Sequence, residues 1–226
     1  MGFNESATSN IIFLAHGSPD PRSAECMEEF ASVVSDQIGI PVHSAYLDHN
    51  FPTLQEISER IQDPHALVMP MLLSNAFHAR FDLPKAAKSA GLQNVMPPIG
   101  HPTQVLQELL VRAQEPAIVV SVGTSNVCAQ AVFEVAVQSA SWQCGISADH
   151  AYVTGKKDLI KNKLDDYANS GGKTVIPWFL ADGKLMDQIR VEADMRDLRV
   201  EGNGICREAI FVSHVVQKLK LVCSLN

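Results

Sequence analysis

The chain has 226 residues, 46% of them hydrophobic and 19% charged, and a formal net charge of -7. This allows one large α/β domain or two of about 110 residues, with a composition ordinary for a folded soluble protein. The acidic balance argues against general nucleic-acid binding, which needs a basic face to neutralise phosphates, and no apolar run approaches the roughly 20 residues that span a bilayer.

Met1 to Ala7 has neither the basic region nor the apolar stretch of a secretory signal, so a cytoplasmic protein is expected. Ile11 to Ala15 is a continuous apolar run that ends at His16-Gly17-Ser18 and suits a strand buried on both faces. Asp20-Pro21 offers an N-cap with proline at the first helical position. Cys26/Met27, Phe30, Val33/Val34 and Ile38 then recur at helical spacing until Gly39. Val42 to Leu47 reads as the next strand, with Asp48 at its end. Thr53-x-x-Glu56 is a capping box opening a helix that carries Ile57 and Ile61 on one face. A third strand over Ala66 to Leu73, a short helix over Pro84 to Ala90 and a further helix over Thr103 to Ala113 complete the first half. The alternation predicts a parallel sheet covered by helices.

The same order returns after Glu115-Pro116. Ala117 to Val122 matches the first strand at an offset of 106, Ala151-Tyr152-Val153 matches Ala45-Tyr46-Leu47 at the same offset, and Ile176-Pro177 matches Met69-Pro70 at 107. Three anchors that hold register to one residue point to an internal duplication with its seam near residue 114, giving halves 1–113 and 114–226.

In open parallel sheets, ligands bind beyond the carboxyl ends of the strands. His16 and His78 fall at or just past two such ends. Two neutral imidazoles suit a divalent transition metal and leave most of its coordination shell for a substrate, as an ion that must leave the protein requires. An isolated histidine is also a common satisfied surface or core residue. Asp48 belongs to the same edge, where it could hold a metal, orient a proton relay or simply begin a turn. His49 beside it is a weaker candidate. His43, His65 and His101 have no comparable placement: His65 reads as turn surface and His101 as no more than a helix start. Gly17-Ser18 could bring backbone amides to an anionic ligand, and Arg22 and Arg80 could offset local acidity, although ordinary surface arginines fit as well. Neither a dinucleotide nor a P-loop fingerprint occurs, and Ser18 lacks a nucleophile-elbow frame. The five cysteines are scattered, so they read as small core residues rather than disulfide or zinc-thiolate partners.

The segments Leu14-Ala15-His16-Gly17-Ser18-x-Asp20-x-Arg22, Ala45-Tyr46-Leu47-Asp48 and Leu73-Ser74-Asn75-Ala76-Phe77-His78-x-x-x-Asp82-Leu83-Pro84 resemble the sirohydrochlorin chelatases, class II tetrapyrrole chelatases related to ferrochelatase. The resemblance implies the long form: two similar chelatase-like lobes, each a parallel β-sheet flanked by helices, with the tetrapyrrole in an inter-lobe cleft. Short members reach the same arrangement by pairing two chains, and a monomer is expected here. It further implies that His16 and His78 bind the incoming metal and carry the catalysis, and that His16 also accepts a pyrrole proton. Asp48 and the stretch Leu73, Ser74, Asn75, Ala76 and Phe77 would contact the substrate, the latter largely through backbone. Family members often carry glutamate where this chain has Asp48, one methylene shorter, which bears on whether it reaches the metal. In the second half Val122, Thr154 and Leu185 stand at the matching places, so that lobe is expected to bind no metal.

The implied reaction inserts a divalent metal into sirohydrochlorin and releases two protons. Fe²⁺, giving sirohaem, is the first expectation, Co²⁺ the second, with Ni²⁺ allowed. The metal is a substrate, and no permanently bound cofactor, nucleic acid or membrane partner is expected. An imidazole cannot take a proton through a nitrogen that still holds metal, so ligation and proton removal by His16 would be successive or use different ring nitrogens. The rival reading is a non-catalytic carrier of metal or tetrapyrrole.

Overall fold

The computed structural model describes residues 8–74, 82–154 and 159–223. They fall into two compact units, one made of the described residues up to 100 together with those from 212 onward, the other of the described residues between 101 and 211. No helix among the described residues is long and apolar enough to cross a membrane.

The first unit is built on a three-stranded parallel sheet of order β2-β1-β3, from β1 (Ile11–Ala15), β2 (Val42–Tyr46) and β3 (Leu67–Pro70). Its central strand is buried throughout, as its unbroken apolar run requires. Helix α1 (Pro21–Ile38) starts where the sequence places it: the Asp20 side chain accepts from the Arg22 amide, and Gly39 ends the helix in the left-handed region at φ 70°. Phe30 of α1 stacks on Phe13 of β1 with ring centroids 5.4 Å apart. On the opposite face α2 (Leu54–Ile61) and α3 (Leu83–Ser89) bring Leu54, Ile57, Leu83 and Ala87 onto Ile12, Leu14 and Val68. The capping box of α2 is formed, with Thr53 and Glu56 each bonding the other's backbone amide. The third strand is shorter than its apolar run: the Met71 amide makes the last bond to β1, at the Leu14 carbonyl, and beyond it the Leu72 carbonyl accepts from Gly100.

The second unit carries a four-stranded parallel sheet of order β5-β4-β6-β7, from β4 (Ala117–Ser121), β5 (Ala148–Tyr152), β6 (Thr174–Trp178) and β7 (Arg199–Val200). Its helices are α4 (Thr103–Ala113), α5 (Val127–Cys144), α6 (Leu159–Asn169) and α7 (Lys184–Asp194). A last helix, α8 (Ala209–Val222), begins at the end of this unit and continues in the C-terminal segment of the first.

The two sheets repeat each other in register. Ile11 pairs with Val42 and Leu67, while Ala117, 106 positions on, pairs with Ala148 and Thr174. Smaller details repeat as well. Asn126 caps α5 as Asp20 caps α1, and Gly145 ends α5 at φ 71° as Gly39 ends α1. Tyr46 and Tyr152 donate to the carbonyls of Ala24 and Gln130, again 106 apart. The repeat seam and the edge of a packed unit are separate properties: α4 lies before residue 114 in the chain but packs on α5.

Candidate metal-handling edge

Parallel pairing brings the carboxyl ends of β1, β2 and β3 to one edge of the first sheet. There the loops after β1 and β2 are locked together. Leu47 donates to the Ala15 carbonyl at 3.0 Å, Asp48 to the His16 carbonyl at 2.8 Å, and the Ser18 amide to Asn50 Oδ1 at 2.7 Å. Gly17 makes the approach possible: its φ is 94°, and a Cβ on it would stand 1.8 Å from the Asp48 carbonyl oxygen. The amides of Ser18 and Asp20 are therefore taken, by Asn50 and by Ser18 Oγ respectively. The Ser18 amide is thus not open to an anionic ligand, and the glycine serves loop clearance.

His16 stands half-buried at this edge, its Nδ1 3.2 Å from the Gly17 carbonyl. The structure brings His49 to it, with ring centroids 6.0 Å apart and ring planes at 50°. His49 sits in the left-handed region at φ 62°, a conformation uncommon outside glycine but one that histidine, like asparagine and aspartate, adopts more readily than most. Asp48 holds it there, Oδ1 accepting from the His49 amide at 2.8 Å and Oδ2 lying 3.6 Å from its Nε2. Asp48 thus begins a turn and also lies on the predicted edge, with its side chain 64% exposed. Phe51 is exposed in the same turn. Sequence reading undervalued His49 and passed over Asn50 and Phe51, because nothing in the chain marks the left-handed residue that re-aims the turn.

At the end of β3, Leu73 and Ser74 are half-buried, and Ser74 Oγ is buried with no hydrogen-bond partner among the described residues. The expected site residues Asn75, Ala76, Phe77 and His78, together with Arg80, lie outside the described residues. Among the described residues no three His, Cys, Asp or Glu side chains converge on one point. Arg22 forks onto the carboxylate of Asp20, at 3.0 and 2.7 Å, and so anchors the start of α1.

The remaining candidates separate by burial. His65 lies exposed in a turn, and His43 on β2 meets Asn10 Oδ1 at 3.1 Å. His101 is more than a helix start: its Nδ1 accepts from Trp178 Nε1 at 2.9 Å, its ring lies 5.0 Å from that of Phe133, and burial pushes its pKa down to about 4. It is a neutral, half-buried histidine of the second unit, fixed as the Nε2–H tautomer by the indole donor. Of the cysteines, Cys26 and Cys206 are core residues, whereas Cys128 is exposed on the outer side of α5, where a small residue meets no core. At the edge of the second sheet Val122 and Thr154 occupy the matching places, with Thr154 Oγ1 donating to the Val122 carbonyl, and Leu185 packs on the core of α7.

Residues 10–115, which include every element of this edge, match the CbiX family. The first half of the chain is thus similar to the CbiX family. The resemblance read from the three motifs is thereby borne out. Solved structures extend the likeness beyond the CbiX segment. SirB from Bacillus subtilis, solved with Fe3+, superposes with a TM-score of 0.76 at 15% identity, covering 96% of each chain. CbiX, described as the terminal enzyme for biosynthesis of siroheme in denitrifying bacteria, gives 0.69 at 16% identity over 94% of this chain and 98% of its own. DR2241 from Deinococcus radiodurans, a multi-domain protein with structural similarity to chelatases, gives 0.67 at 13% over 95% of this chain and 55% of its own. At such identities the likeness is one of fold. No curated protein sequence matches the chain.

Proposed function

We propose that the protein is a sirohydrochlorin chelatase that inserts a divalent metal, Fe²⁺ before Co²⁺ or Ni²⁺, into the tetrapyrrole with loss of two protons. The observation that carries this reading is His16 on the locked edge of a CbiX segment, with Asp48 and His49 in the adjoining turn. His16 and His78 are assigned to the metal and to catalysis, and Asp48 with Leu73 to Phe77 to the substrate. A few imidazole donors hold an ion firmly enough to present it and loosely enough to release it. Residues 1–113 and 114–226 are taken as the halves of a duplication in which the first alone handles metal.

The test is anaerobic insertion into sirohydrochlorin with Fe²⁺, Co²⁺ and Ni²⁺ in parallel, followed by absorbance. The wild-type chain should turn over, and His16→Ala and His78→Ala should each lose at least about 100-fold in rate while keeping the wild-type unfolding midpoint. Stoichiometric binding without turnover would favour a carrier, and wild-type rates in both variants would sink the assignment.

A further inference from the structure

The outer face of α5 carries an inference independent of the metal chemistry. Positions 128, 131, 135, 138 and 142 follow the alternating three- and four-residue spacing that forms one stripe along a helix. In α5 all five are exposed: Cys128, Ala131, Val135, Gln138 and Trp142. Val132 flanks them, and Val132, Val135 and Trp142 are 60%, 59% and 84% exposed. The fold does not demand such a face. In α1, its counterpart in the first unit, the same stripe is exposed and reads Arg22, Glu25, Glu29, Ser32 and Asp36, so four of five are charged where α5 has none. Glu134 is the single charged residue of α5.

We propose that two copies of this chain pair through α5, antiparallel, about a two-fold axis at Val135. Three features favour a second copy as the occupant. A stripe without charge can face itself with no like-charge penalty, whereas the acidic stripe of α1 would repel its own copy. The side-chain sizes are self-complementary: a two-fold at Val135 sets Trp142 over Cys128 of the partner subunit, the bulky end of the stripe on the small end, as an isologous contact requires. The area also suffices, since these side chains offer on the order of 500 Å² per copy and about 1,000 Å² in total, the lower bound of a specific interface. Pairing of this kind departs from the expected monomer.

Sedimentation equilibrium across the micromolar range tests it. The wild-type chain should show a monomer–dimer equilibrium. Val135→Glu puts two carboxylates face to face on the axis and should weaken pairing at least about 100-fold, with an unchanged circular dichroism spectrum because Val135 is on the surface. In a second measurement, a short bismaleimide should join Val135→Cys copies through residue 135. It should leave wild-type Cys128 unjoined to its mate, which stands about 21 Å away in the antiparallel arrangement. A wild-type chain that stays monomeric, or linkage through pairs of Cys128, would overturn the proposal.

Discussion

At position 17 a methyl group would collide with the Asp48 carbonyl, and the backbone lies in the left-handed region. Gly17→Ala must therefore open the loop contact that aims His16. It is expected to cost at least about 2 kcal/mol in urea unfolding, as strain at a special backbone position does, and to lower insertion activity in the fraction that still folds. A second prediction concerns His101. Its pKa is pushed down to about 4 by burial, against 6.5 in the unfolded chain, so unfolding takes up a proton between those values. The stability it contributes is fully present above pH 6.5 and is lost as pH falls toward 4, by about 3 kcal/mol in all. His101→Gln keeps an acceptor for Trp178 without titrating there. The difference between wild-type and variant urea midpoints at pH 7 and pH 4.5 should show the variant losing less on acidification. His16 and Asp48 were legible as single residues because each ends an apolar run. His49 and His101 were not, since the significance of the first depends on a left-handed φ and that of the second on an indole 77 positions away.

Among the elements, the strands and helices of the first half follow closely from apolar runs and caps. Asp20, Gly39, Thr53 and Glu56 act locally, so their roles can be read from neighbours in the chain. What fastens α4 cannot. Arg112 at its end donates through Nε and Nη2 to Glu201 at 3.0 and 2.8 Å, and through Nη1 to Glu208. Glu208 also accepts from the Asn203 amide at 3.1 Å. Truncating Arg112 strands the Glu208 carboxylate, which is 8% exposed. Arg112→Met is expected to cost about 2 kcal/mol in denaturant unfolding, below the range for a fully buried pair because Arg112 is itself partly exposed. A loss under about 0.5 kcal/mol would mean that the pairs are no better than ordinary surface bridges.

For the whole molecule, the net charge of -7 is concentrated in the first half, where 6 Lys+Arg face 12 Asp+Glu. A polycarboxylate substrate of the kind proposed meets a body of its own sign. Raising ionic strength to about 0.15 M shortens the screening length to about 8 Å, so kcat/KM for the tetrapyrrole should rise several-fold from low salt while metal uptake weakens. A fall in kcat/KM with salt would instead show that local cations govern the encounter. The sequence by itself determined the layered α/β class, the repeat and the positions of His16 and Asp48, because apolar periodicity, caps and strand ends are local signals. The fold in three dimensions adds that Gly17 clears the Asp48 carbonyl, that His49 faces His16, and that α5 bares a neutral stripe where α1 bares a charged one. Each of these depends on which surfaces meet in space, and the spacing of residues along a chain does not encode that.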